Sequence, residues 1–184
     1  MILRDICVAG AAVLILAVPA AGGLGVALPM PIAAATSMSP DGKKVVYTPF
    51  ARDFRTWKRY QGGWAQDLWI YDLATHDAKN ITNNPRSDRD PMWVGGKVFF
   101  SSDRTGTLNL HSYDTASGST EQLTRSTQWD VRWPSSDDAG RIAYEMDGEL
   151  HLLDTRTKQD RQLAIQVPYE GLYDRPSQVP AARN

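Results

Sequence analysis

The chain has 184 residues, 42% of them apolar and 22% charged, enough to bury a core and unlike a disordered tail. Twenty Lys and Arg against 21 Asp and Glu leave a net charge of −1, without the basic excess of a dedicated nucleic-acid binder. One cysteine, Cys7, excludes an internal disulfide and a Cys-based zinc site, and three histidines leave little for a His-rich metal site.

In chain order, the first feature is a stretch from Ile6 to Pro40 with no charged side chain. Its apolar run, Ile6 to Val18, ends at Pro19 and falls short of the roughly 20 residues that cross a bilayer. Two readings stand. A secretory signal would use Arg4 as a thin basic start and Ala33-Ala34-Ala35 as the cleavage site, although Asp5 cancels Arg4. A buried strand and turn would use Val18-Pro19-Ala20-Ala21-Gly22-Gly23.

After Pro40 the chain repeats. Leu68-Trp69-Ile70-Tyr71-Asp72, Leu110-His111-Ser112-Tyr113-Asp114 and Leu150-His151-Leu152-Leu153-Asp154 recur at steps of 42 and 40. Ile81-Thr82, Leu123-Thr124 and Leu163-Ala164 follow at the same steps, and Trp93 and Trp133 are 40 apart. Each period holds four short strands with period-2 alternation, separated by turns such as Asp41-Gly42, Gly95-Gly96 and Asp147-Gly148. Such units read as β-propeller blades. The fold class is therefore all-β, a partial propeller of about three four-stranded antiparallel blades plus half a blade. Blades are expected over residues 35–84, 85–126 and 127–167, with strand two over Lys43 to Thr48, Lys97 to Ser101 and Arg141 to Glu145.

The aspartate closing each third strand is expected to hold the following turn through side-chain to backbone hydrogen bonds. His111 and His151 share the repeat position of Trp69, which makes them strand residues rather than triad members. His76 is expected in solvent, and Asp137-Asp138 in a turn matching Asp41-Gly42 rather than at a metal. No Gly-x-Ser-x-Gly elbow is present, and no catalytic residue, metal ligand or cofactor is assigned.

The first repeat carries a surplus over residues 50–63. It interleaves Arg52, Arg55, Lys58 and Arg59 with Phe54, Trp57 and Tyr60. Arg beside aromatics suits a carboxylate or a stacked ligand; an extended hairpin packed on a neighbouring domain is the alternative. Arg52, Arg55, Trp57, Lys58, Arg59 and Tyr60 are the candidate peptide-binding or docking residues.

Phe54 to Tyr60 with Gly62-Gly63, Asp67 to Leu73, Thr82-Asn83-Asn84, Asp88 to Trp93, Ser102-Asp103-Arg104 and Asp130 to Pro134 together resemble the first, six-bladed propeller of tricorn proteases, over roughly Leu16 to Ala182. The resemblance implies a non-catalytic segment of a cytoplasmic serine peptidase that degrades oligopeptides downstream of the proteasome or similar proteases. Its partners would be oligopeptides or downstream peptidase domains in a homo-oligomer, without nucleic acid or membrane. The resemblance also casts residues 16–34 as strands three and four of a preceding blade and 168–184 as a linker towards a second propeller. Residues 1–15 fit neither the family nor a good signal. A six-bladed ring needs on the order of 240 residues, so a truncated product without autonomous function is one alternative. A secreted propeller of the Tol type, which shares the Ser39-Pro40-Asp41-Gly42 turn, is the other; it requires a cleaved signal and a periplasmic location.

Overall fold

The computed structural model describes residues 15–16, 26–30, 32–50, 58–137 and 139–166. β1 (Ile15–Leu16) pairs antiparallel with β2 (Val26–Ala27). Three four-stranded antiparallel sheets follow, each a simple meander. The first is β3 (Thr36–Met38), β4 (Lys44–Tyr47), β5 (Trp69–Asp72) and β6 (Ala78–Asn80). The second is β7 (Asp88–Val94), β8 (Lys97–Ser102), β9 (Asn109–Asp114) and β10 (Thr120–Gln122). The third is β11 (Arg132–Ser136), β12 (Arg141–Met146), β13 (Glu149–Asp154) and β14 (Gln159–Gln162). No helix occurs among the described residues, and the three sheets do not close into a ring.

The sheets stack face to face because alternate residues of each strand point to opposite sides. In β8, Val98 and Phe100 face the first sheet and pack against its Val46 and Leu68, together with Trp93 of the neighbouring β7. Phe99 faces the third sheet and packs with Met92, Leu110, Ile142, Tyr144 and Leu153. The second sheet is thus buried on both faces. A third cluster lies on the first sheet's opposite face, where Tyr47, Tyr71 and Ala33 are covered by Leu28 and Met30. Each large side chain withdrawn from water in this way contributes about 1.5–3 kcal/mol.

Register makes the repeat explicit. Val45 pairs with Tyr71, Val98 with Tyr113 and Ile142 with Leu153. One step along, Tyr47 pairs with Trp69, Phe100 with His111 and Tyr144 with His151. Both strand histidines stack on their cross-strand partners, with ring centroids 5.7 and 5.2 Å apart. They are packing residues, as their repeat position indicated.

The turn aspartates do as expected. Asp72 Oδ1 accepts from the Ala74 and Thr75 amides, Asp114 Oδ1 from Ala116 and Ser117, and Asp154 Oδ1 from Arg156 and Thr157. These bonds favour the ionised form, and all three carboxyls sit below their ordinary range. Asp137 likewise closes a turn, accepting from the Ala139 and Arg141 amides. His76 departs from expectation. Although exposed, it adopts a φ of 64° and its Nδ1 lies 2.8 Å from the Tyr71 hydroxyl, so it is tied to the sheet.

The tryptophan spacing misleads. Arg89 pairs with Ser101 and Arg132 with Glu145, each just before a bulge. Trp133 therefore corresponds to Asp90, not to Trp93, and both bulge residues have positive φ, 56° and 45°. Trp93 is buried against the first sheet, whereas Trp133 is 65% exposed. The first strand steps by 43, because the shortening to 40 occurs later, in the turn between β12 and β13.

The proposed segment from Val18 to Leu24 lies outside the described residues, as do residues 1–14 and 167–184.

Candidate functional site

Up-and-down strands place alternate connections at the same end of every blade. One end gathers the β4–β5 insertion, the connections between sheets, the β8–β9 loop and the β12–β13 turn. The insertion leaves β4 and is tied at its base. Thr48 Oγ1 and Gln66 Nε2 both donate to the Phe50 carbonyl, at 3.0 and 2.8 Å, and the Phe50 and Trp64 rings lie 5.2 Å apart.

Further out the chain meets the connection between the first and second sheets. Arg86 Nη1 donates to the Arg59 carbonyl at 3.1 Å. The Gln61 carboxamide, turned with its oxygen towards that guanidinium, accepts from Arg86 Nη2 at 2.9 Å. Arg59 has a φ of 58°, an unfavourable conformation for a long side chain, so its anchored carbonyl helps hold it. Beside it, Gly62 has a φ of 149°. A Cβ there would stand 2.5 Å from the Tyr60 hydroxyl oxygen, so only glycine lets that ring lie across the turn.

Lys58 and Arg59 end on Asp130, in the connection between the second and third sheets. Arg59 Nη2 donates to Asp130 Oδ1 at 2.8 Å and Nη1 to Oδ2 at 3.3 Å. Lys58 Nζ lies 3.2 Å from Oδ2, and the Leu108 amide donates to Oδ1 at 2.9 Å. The Asp130 side chain is only 7% exposed. Burial alone would push this carboxyl up; Arg59, the Leu108 amide and Lys58 outweigh it and hold it at about 2. Lys58 and Arg59 therefore fasten the first blade to the connection that leads from the second blade into the third.

Of the candidate residues, Lys58 and Arg59 are engaged with Asp130, and Tyr60 is half-buried above Gly62. Arg52, Arg55 and Trp57 lie outside the described residues. Sequence reasoning did not pick out Asp130 or Arg86 as partners of the insertion. Asp130 opens the Asp-Val-Arg-Trp-Pro run, but nothing local says what it meets.

A second buried ion pair lies beneath, between the first two blades. Arg104 Nη2 donates to both Asp88 oxygens at 3.0 Å, Nε donates to Ser102 Oγ at 2.9 Å, and the guanidinium sits 5.3 Å above the Phe100 ring. Burial pushes the Asp88 carboxyl up despite Arg104. The neighbouring His111 is held down at about 4 by burial; its Nδ1 contacts the Asn109 carbonyl and its Nε2 has no hydrogen-bond partner.

The profile of the Tricorn protease N-terminal beta propeller domain matches residues 8–159. The chain belongs to this tricorn propeller family. The match reaches back into residues 8–15, which the sequence alone had set apart, and stops before 168–184. A tricorn protease homolog 1 of Streptomyces coelicolor is 33% identical over 143 residues, covering 75% of this chain and 13% of the relative. A tricorn protease homolog of Saccharolobus solfataricus is 30% identical over 117 residues, covering 64% of this chain and 11% of the relative. This chain thus spans only about an eighth of the curated tricorn relatives it matches. Among solved structures, the tricorn protease superposes with a TM-score of 0.62 at 22% identity, covering 74% of this chain and 13% of that one. TolB from Acinetobacter baumannii superposes at 0.56 with 26% identity, covering 70% and 31%.

Proposed function

We propose that this chain serves as the non-catalytic propeller portion of a tricorn-type peptidase. It would guide oligopeptides, or dock the catalytic domains, during peptide degradation downstream of the proteasome or a similar protease. The observation that carries this reading is the match of the tricorn N-terminal propeller profile to residues 8–159. The insertion supports it physically. Tying the first blade to the connection between the second and third would brace a rim on which a peptide path can be built, because pre-ordered walls lower the entropic cost of binding. In this reading Arg52, Arg55 and Trp57 contribute to peptide contact or domain docking. Lys58, Arg59 and Tyr60 brace the rim that carries them. A cytoplasmic location and a homo-oligomeric assembly belong to the same proposal.

The test is an assay of the purified chain on fluorogenic oligopeptides, alone and with the peptidase core of a tricorn homolog. The expected result is no hydrolysis alone and a changed cleavage pattern with the core. Turnover by the chain itself, retained after rigorous purification, would overturn the proposal. A secreted Tol-type propeller is the second reading, favoured by the 26% identity to TolB from Acinetobacter baumannii. Mass spectrometry of the mature N-terminus separates the two: loss of residues up to Ala35 favours secretion.

A further inference from the structure

The crevice between the second and third blades is open where the equivalent crevice between the first and second is filled. The pair Ser102 and Asn109 in the second blade corresponds to Met146 and Glu149 in the third. Between the first two residues runs the loop 103–108; between the second two stand only Asp147 and Gly148. That loop delivers Arg104 into the first crevice, over Phe100 and onto Asp88. The third blade is four residues shorter here and brings no arginine. What remains is a shallow open pocket of about 410 Å3, lined among others by Arg125, Trp129, Met146, Asp147, Glu149 and His151. His151 and Gln162 occupy the repeat positions of His111 and Gln122, so the two crevices correspond.

We propose that this crevice binds an arginine side chain presented by a peptide, beside Met146 at the mouth of the position that Arg104 fills one blade earlier, since Tyr144 and Val131, at the places of Phe100 and Asp88, are buried beneath it. The lining suits a guanidinium. Trp129 is 52% exposed and offers a flat ring to a planar cation. Asp147 and Glu149 supply carboxylates from an exposed turn. The buried carboxylate of the first crevice is not reproduced, since Val131 stands at the place of Asp88, so recognition depends on these turn carboxylates and on the aromatic wall. Arg125 belongs to the same lining and offsets one of the two carboxylates, which leaves a single net negative charge for a guanidinium and none for a second cation beside it. An isolated arginine next to neutral or acidic residues is therefore preferred over a polybasic segment.

This inference rests on the peptide-handling reading but fails separately from it. The full chain would be titrated with Ac-Ala-Arg-Ala-amide, and with the analogue in which neutral, nearly isosteric citrulline replaces arginine, by calorimetry and tryptophan fluorescence. Millimolar binding of the arginine peptide is expected, with the citrulline peptide about fivefold weaker or worse. The double variant Asp147→Asn, Glu149→Gln alters only exposed positions, and Asn tolerates the positive φ of Asp147. It should lower arginine-peptide affinity by a similar factor, and Trp129→Leu should abolish the fluorescence change. Equal binding of both peptides, unchanged affinity in the double variant, or no binding of the arginine peptide up to about 10 mM would overturn the inference. None of these outcomes bears on whether the chain hydrolyses peptides.

Discussion

Replacing Asp130 by Asn removes the charge at the insertion's anchor while keeping an oxygen for the Leu108 amide. A carboxyl held at about 2 in the folded chain, against its ordinary 3.8, is worth at most about 2.5 kcal/mol at neutral pH. Lys58 is 62% exposed and its share is screened by water, which brings the expected loss to about 1–2 kcal/mol. The pH dependence carries the sign. The folded carboxyl is the stronger acid, so its contribution is full above about 4 and disappears as pH falls towards 2. Urea unfolding followed by tryptophan fluorescence should therefore place Asp130→Asn below the parent at pH 7. The gap should narrow between pH 4 and 2. An Arg59→Ala, Asp130→Asn double-mutant cycle at pH 7 should show that most of the loss is shared between the two sites. A gap that does not change with pH, or additive single effects, would refute the clasp as the source of the stability.

Two further outcomes follow from the blade interiors. His111 is neutral and buried with its pKa lowered to about 4, so the unfolded chain takes up a proton first as pH falls below about 6.5. Stability should decline by up to about 3 kcal/mol between pH 6.5 and 4, and His111→Phe, which keeps the ring stack on Phe100, should flatten that limb in pH-dependent melting. Thr82 and Thr124 accept the Leu68 and Leu110 amides through their hydroxyls at 3.0 and 2.9 Å, and Ala164 stands at the equivalent place opposite Leu150. Ala164→Thr should raise stability by about 0.5–1.5 kcal/mol and slow amide exchange at Leu150.

Much of the architecture was legible in the sequence because it depends on short-range chemistry. Alternation of apolar and polar residues, glycine turns and the recurring Tyr-Asp and Leu-Thr landmarks place the strands to within a residue or two. The aspartate turns need only residues two and three positions away, so their hydrogen bonds follow from the local sequence. Repeat symmetry likewise assigned His111 and His151 to packing, and the cross-strand pairs with Phe100 and Tyr144 bear that out.

The sequence by itself determined the blades, their order and the presence of a basic, aromatic insertion. Only the tertiary structure decided what Lys58 and Arg59 of that insertion do with their charges. Lys58 and Arg59 meet Asp130 some 70 residues later because the second blade places the two connections at one end of the stack. No local pattern encodes a contact across an intervening blade. The same holds for Trp133: its 40-residue spacing from Trp93 suggested equivalence, and pairing register overruled it. Spacing counts residues along the chain, whereas a side chain's face is set by its hydrogen-bonded partner, and one bulge separates the two measures.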